Sequence, residues 1–198
     1  MNRQFPIEFS VTPGSCILGA LMLLLLPLRL VFAALLAALI HEGAHILALK
    51  LCKNPVSGLQ IGVGQILIRT APLPPGQELL CALAGPFGSF LCLLLVRSFP
   101  LLALCGFIQG AYNLLPLYPL DGGRALNCIL QLFIPRYTRT VTAAVAFGTT
   151  VLIEGSCIYL FFHTGDALFL LVAMYFLAVT SLRRKTPCKD GRHWVQYT

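Results

Sequence analysis

Residues 30–51 read LVFAALLAALIHEGAHILALKL, and the five residues His41-Glu42-Gly43-Ala44-His45 inside that apolar run decide the fold. About 20 apolar residues at 1.5 Å each cross the hydrocarbon core of a bilayer, so the run reads as a membrane span. Three ionisable side chains inside it are costly in lipid. Such groups face a bundle interior or a water-filled cavity, and they mark functional sites. The i, i+4 spacing places His41 and His45 on one helical face. Two imidazoles so placed can hold a zinc ion, with Glu42 beside them as a base.

The rest of the chain has the composition of a protein solvated by lipid. Of 198 residues, 58% are hydrophobic and only 11% charged, against about 25% charged in a soluble domain. The mean hydropathy is +0.84. The net charge is +7, but the basic residues punctuate apolar runs and collect at Arg183, Arg184, Lys185, Lys189 and Arg192. This follows the positive-inside rule and excludes nucleic acid as a partner, which wants a basic patch on one face. The eight cysteines contain no C-x-x-C pair and lie mostly in apolar runs. They read as small buried hydrophobes rather than a disulfide framework.

The expected fold class is an all-α polytopic membrane protein of about six transmembrane helices in one domain, residues 1–198. The spans are 15–28, 30–51, 77–97, a broken 100–133, 139–162 and 166–182. A short basic cytoplasmic tail covers 183–198. Residues 1–13, with Pro6 and Pro13, read as a lead or interfacial segment, and the first apolar run reads as a retained span rather than a cleaved signal. Pro27 and Arg29 mark its end, and Lys50 and Lys53 close the second span. Residues 56–69 are rich in β-branched residues and glycine. Leu59, Ile61 and Val63 alternate with Gln60 and Gly62, which predicts a small β-hairpin between spans two and three. Loop charges place both termini in the cytoplasm. His41 then lies about 10 residues, or roughly 15 Å, from the cytoplasmic end of its helix.

Two histidines make an incomplete site, because catalytic zinc has three protein ligands and an open position. Among the remaining acidic residues, only Asp121 and Glu154 lie deep in the apolar segments. Asp121 is the better ligand. It follows Pro116 and Pro119, which open the helix, and precedes Gly122-Gly123, whose backbone freedom suits a break that aims a carboxylate sideways. Non-helical backbone at membrane depth is tolerated where it lines a cavity. Asp121 could also N-cap residues 122–133, and its two oxygens allow both roles. Glu154 reads better as a bundle-facing carboxyl with a polar neighbour.

His41-Glu-Gly-Ala-His45, Ala84-Gly85-Pro86 and Asn113-x-x-Pro-x-x-x-x-Asp121-Gly122 resemble, in order and spacing, the three signatures of the site-2 protease family. The resemblance spans roughly residues 15–182. The run from Tyr112 to Arg124 is most similar to the stage IV sporulation protein FB branch, whose members cleave a membrane-tethered sigma-factor precursor. The resemblance implies an intramembrane zinc metalloendopeptidase with a three-span core at 30–51, 77–97 and 100–133. It implies one Zn²⁺ per chain on His41, His45 and Asp121, with Glu42 as general base. It further implies that Asn113 binds the substrate backbone and that the hairpin receives the substrate as an added strand. An exposed strand edge would hold the unwound peptide extended.

The implied partners are a membrane-tethered protein substrate, inhibitory or regulatory membrane proteins, and the bilayer of a bacterial cytoplasmic membrane. The chain departs from the sporulation branch in one respect. Those proteins carry a nucleotide-sensing CBS domain, and about 16 residues after position 182 are too few for any domain. The alternatives are a transporter, which would need paired repeats that the sequence lacks, and a catalytically silent scaffold.

Overall fold

A computed structural model describes residues 8–11, 13–62, 65–118 and 120–174. In chain order the elements are β1 (Glu8–Val11), α1 (Pro13–Leu25), α2 (Leu28–Leu51), β2 (Val56–Gly62), β3 (Gln65–Thr70), α3 (Pro75–Leu91), α4 (Pro100–Asn113), α5 (Asp121–Phe133) and α6 (Thr138–Thr164). A 3₁₀ turn, Cys92–Leu95, extends α3. Helical conformation resumes at 168 and runs to 174. The remainder of the sixth expected span and the basic tail lie outside the described residues.

Among the described residues, three helices are long and apolar enough to cross a membrane: Leu28–Leu51, Pro75–Leu95 and Pro135–Thr164. Two of the six expected spans are not among them for a reason of length, and most of the sixth lies outside the described residues. Helix α1 has 13 residues, α4 has 14 and α5 has 13. At 1.5 Å per residue each reaches about 20 Å, short of the ~30 Å hydrocarbon thickness. The expected fourth span, read as broken, is thus two short helices, with a turn at 114–118 after the first. Arg29, read as marking the end of the first span, lies in the first turn of α2, which starts at Leu28 after Pro27 at the N-cap. Apolar side chains cover the outside of the bundle. Leu24, Leu94 and Phe162 are 80%, 79% and 81% exposed, a surface suited to acyl chains rather than water.

Helix α3 sits at the centre and packs against α2, α4 and α5, while α6 packs on α5. The buried stripe of α2 is Ala37, His41, His45, Ala48 and Leu49, which repeats at helical spacing. That stripe has an apolar cluster at each end. Ala37 packs with Cys92 and Leu102, and Ala48 and Leu49 pack with Ile68 and Cys81. The two histidines lie between them. Small residues let the backbones approach closely. A Cβ on Gly88 would come 2.7 Å from the Ala44 Cβ, and one on Gly106 would come 2.7 Å from the Ser89 carbonyl oxygen.

The three strands form one sheet in the order β1-β2-β3. Strands β2 and β3 pair antiparallel from Val56↔Thr70 to Gly62↔Gln65, with an irregularity between Val56 and Gly58. Strand β1 pairs parallel to β2, with Glu8 opposite Gly58. Part of the segment read as a polar lead is therefore strand. Helix α2 ends in a Schellman turn: the Asn54 amide donates to the Leu49 carbonyl and the Lys53 amide to the Lys50 carbonyl, 3.0 Å each. Lys53 takes the left-handed conformation there, with φ 55°.

Gly122 and Gly123 serve a different purpose from the one read in the sequence. Both are α-helical, in the first turn of α5, and neither has positive φ. They are small because the 114–118 turn folds back onto them. A Cβ on Gly122 would strike the Leu114 backbone, and one on Gly123 would lie 2.5 Å from the Leu117 carbonyl carbon. Backbone cannot move aside as a side-chain tip can, so Gly123→Ala should destabilise the protein by about 1–3 kcal/mol. Gly148 on α6 meets nothing within 4 Å, so Gly148→Ala should be neutral or stabilising by up to about 1 kcal/mol. Thermal unfolding of both variants in detergent checks the contrast.

Candidate metal centre

Helix α2 delivers His41 and His45 from consecutive turns of its buried stripe, both 0% exposed. Asp121, also 0% exposed, arrives from the opposite side as the first residue of α5. Leu120 is the N-cap of that helix and no side chain caps it, so Asp121 is not the cap that the sequence left open. Its carboxylate instead turns to the histidines, and a helix N-terminus suits a negative charge. Asp121 Oδ2 lies 3.2 Å from His41 Nε2 and 3.2 Å from His45 Nε2. The two Nε2 atoms are 3.3 Å apart.

These distances and the chemistry of the donors fit a zinc ion. The His45 Nδ1–H donates to the Cys81 carbonyl at 2.8 Å. A carbonyl only accepts, so in neutral His45 the proton is on Nδ1 and Nε2 presents a lone pair. His41 Nδ1 lies 2.8 Å from the Ser89 hydroxyl, which places a lone pair on His41 Nε2 when the Nδ1–H donates. Two imidazole lone pairs and a carboxylate oxygen then converge on one point, which is repulsive unless a cation lies among them. A tetrahedral ion with ligands at 2.0–2.1 Å spaces its donors about 3.3 Å apart. Among the described residues, His41, His45 and Asp121 form the group able to hold a metal, with donor atoms all within 4.8 Å of one another.

Helix α3 forms the floor of the site. Cys81, Gly85 and Ser89 repeat every four residues and so share one face. The Cys81 carbonyl holds His45, and the Ser89 hydroxyl contacts His41. Between them, a Cβ on Gly85 would strike His45 Nε2 and come within 2.8 Å of His41 Nε2. The donor face is open because residue 85 has no side chain.

Glu42 and Asn113 are also at the centre. Glu42 is buried, and its Oε2 has no hydrogen-bond partner among the described residues. Asn113 is the last residue of α4 and is buried. Its amide Nδ2 lies 3.2 Å from His41 Nε2. Glu154 remains on α6 and is not part of the ligand group. The sequence reading missed Ser89, the Cys81 carbonyl and the role of Arg124. Arg124 is buried, 3.4 Å from Glu78 and 3.9 Å from Asp121. The i, i+3 spacing of Asp121 and Arg124 was a usable signal for the last of these.

Comparison with protein-family models and with curated protein sequences gives no match. Among solved structures, the chain is similar to the Site-2 Protease from Methanocaldococcus jannaschii. The identity is 19% and the TM-score 0.63, over 98% of this chain and 97% of the other. The two share a fold over nearly their whole length.

The centre predicts two graded losses of zinc. Gly85→Ala should abolish stoichiometric zinc binding, because its Cβ would occupy the donor face. Ser89→Ala should weaken binding by roughly 10–100-fold, the usual effect of losing a hydrogen bond behind a ligating histidine. Competition with a chromophoric chelator measures both, and wild-type affinity in the glycine variant would refute the assignment.

Proposed function

We propose that this chain is an intramembrane zinc metalloprotease of the site-2 protease type, hydrolysing peptide bonds in or beside the transmembrane segments of membrane-tethered proteins. The observation that carries the reading is the convergence, at zinc spacing, of Asp121 Oδ2 from α5 with His41 Nε2 and His45 Nε2 from α2, a helix long and apolar enough to cross a bilayer. The shared fold agrees with it.

His41, His45 and Asp121 would hold the zinc, leaving a fourth position open. When bound, zinc supplies Lewis acidity, acidifying water and polarising a carbonyl. Glu42 follows His41 in the chain and keeps a buried carboxylate oxygen unengaged. It accepts a proton from the attacking water as the new C–O bond forms. It then returns that proton to the amide nitrogen as the C–N bond breaks, so the products are a carboxylate and an amine. The Asn113 amide, 3.2 Å from His41 Nε2, is placed to donate to the substrate carbonyl oxygen as charge develops there.

A helical peptide bond is shielded by its own hydrogen bonds, so the substrate must be extended before attack. With β1 paired to β2, the outer edges of the described sheet belong to β1 and β3. Ile68 of β3 packs with Leu49 and Cys81, beside the residue whose carbonyl holds His45. The β3 edge is therefore the proposed seat for an added substrate strand.

The finer reading places the chain in the sporulation branch, with a membrane-tethered sigma-factor precursor as substrate. It also places it in a bacterial cytoplasmic membrane with both termini and the site opening on the cytoplasmic side. The sequence from Tyr112 to Arg124 and the distribution of loop charge support these points.

Glu42→Gln should retain one zinc ion per chain and lose at least ~100-fold in cleavage rate, the scale of general acid–base catalysis. Co-expression with tagged membrane substrates, for wild type, the variant and chelator-treated membranes, tests the reading. Equal product in all three would reject this chain as the protease.

A further inference from the structure

Asp121 uses its two oxygens unequally. Oδ2 faces both imidazoles, 3.2 Å from each Nε2. Oδ1 is buried and accepts no hydrogen bond among the described residues. One turn further along α5, Arg124 is 3% exposed, and its Nη1 lies 3.9 Å from that oxygen. Its Nη2 lies 3.4 Å from Glu78 Oε1 in the first turn of α3. A guanidinium is thus held between two carboxylates, one of them the candidate ligand.

An apolar side chain of similar volume would fill the α3–α5 contact without the desolvation of a charge. A guanidinium adds direction, since its donors are fixed in a planar fork that one carboxylate can anchor while another is addressed. We infer that Arg124 is a positioning residue for the metal centre. Anchored by Glu78 on α3, it holds Asp121 Oδ1 away from the ion so that Oδ2 alone faces His41 and His45.

Two features follow from this arrangement. The Asp121 carboxylate is disfavoured from turning both oxygens toward the histidines, because that would leave the guanidinium without one. The orientation of the ligand on α5 also depends on α3, the helix that already orients both histidines through Cys81 and Ser89. One helix then sets the direction of all three donors.

The inference rests on the metal-centre reading, and one experiment separates the two. The full chain in detergent is titrated with zinc against a chromophoric chelator, and unfolding of the metal-free protein is followed in parallel. Wild type should hold one zinc ion; if it does not, the metal centre itself fails and the inference with it. Given wild-type binding, Arg124→Gln should weaken zinc affinity by about 10–100-fold, as for other groups that orient a ligand. Arg124→Lys keeps the charge but cannot span both carboxylates, so it should fall between the two. Glu78→Gln, at a partly exposed position, should weaken binding several-fold with the fold intact. A purely structural Arg124 would lower the unfolding temperature and leave zinc affinity unchanged. That outcome in Arg124→Gln overturns the inference. Should that variant not fold, wild-type affinity in both Arg124→Lys and Glu78→Gln overturns it instead.

Discussion

Three electron pairs aimed at one buried point are the constraint on which the rest of the structure depends. In a low-dielectric interior, two imidazole nitrogens and a carboxylate oxygen at 3.2–3.3 Å repel one another unless a cation lies among them. The fold does not relieve that repulsion by separating the groups. Hydrogen bonds fix the backs of both rings so that the lone pairs stay directed inward. Apolar clusters lie on either side of the histidines, around Ala37 and Leu49. The three donors are held in place by their surroundings, as expected of a site built on rigid elements.

Helix α3 provides most of that holding, although it contributes no ligand. Its central position against α2, α4 and α5 requires close approach on several sides. Glycines and other small residues permit this at Gly85, Gly88, Gly106 and Gly110. The same logic governs the break between α4 and α5. The turn after Asn113 folds onto Gly122 and Gly123, and this sets where α5 begins and therefore where Asp121 stands. Without the break, a continuous helix would carry Asp121 two turns beyond Asn113, about 12 Å further along the axis. The break keeps both residues at one depth.

What the sequence shows of this site divides along a physical line. His41 and His45 are legible because their relation is local, one helical turn in a strongly apolar run. Asp121 is legible because lipid excludes acidic residues and few were available. Asn113 is identified only through family resemblance. Ser89, the Cys81 carbonyl and the Glu78–Arg124 pair are not legible, because each acts through the approach of two helices distant in sequence. Gly122-Gly123 was noticed for the wrong reason: glycine can answer a need for backbone freedom or for space, and a sequence does not distinguish them. The number of full-length spans is legible only in part. Hydropathy measures apolar length, and it does not reveal that α1, α4 and α5 are each about two-thirds of the length a bilayer requires.

The two histidines differ in how they can change over time. His45 is anchored by a main-chain oxygen, which every residue at position 81 would supply. His41 is anchored by a side-chain hydroxyl, which position 89 can gain, lose or replace. One ligand is therefore insulated from substitution behind it, and the other is adjustable by a single codon. Under the proposed reading, selection for tighter or looser metal retention would have a dial at residue 89 that leaves the other half of the centre untouched.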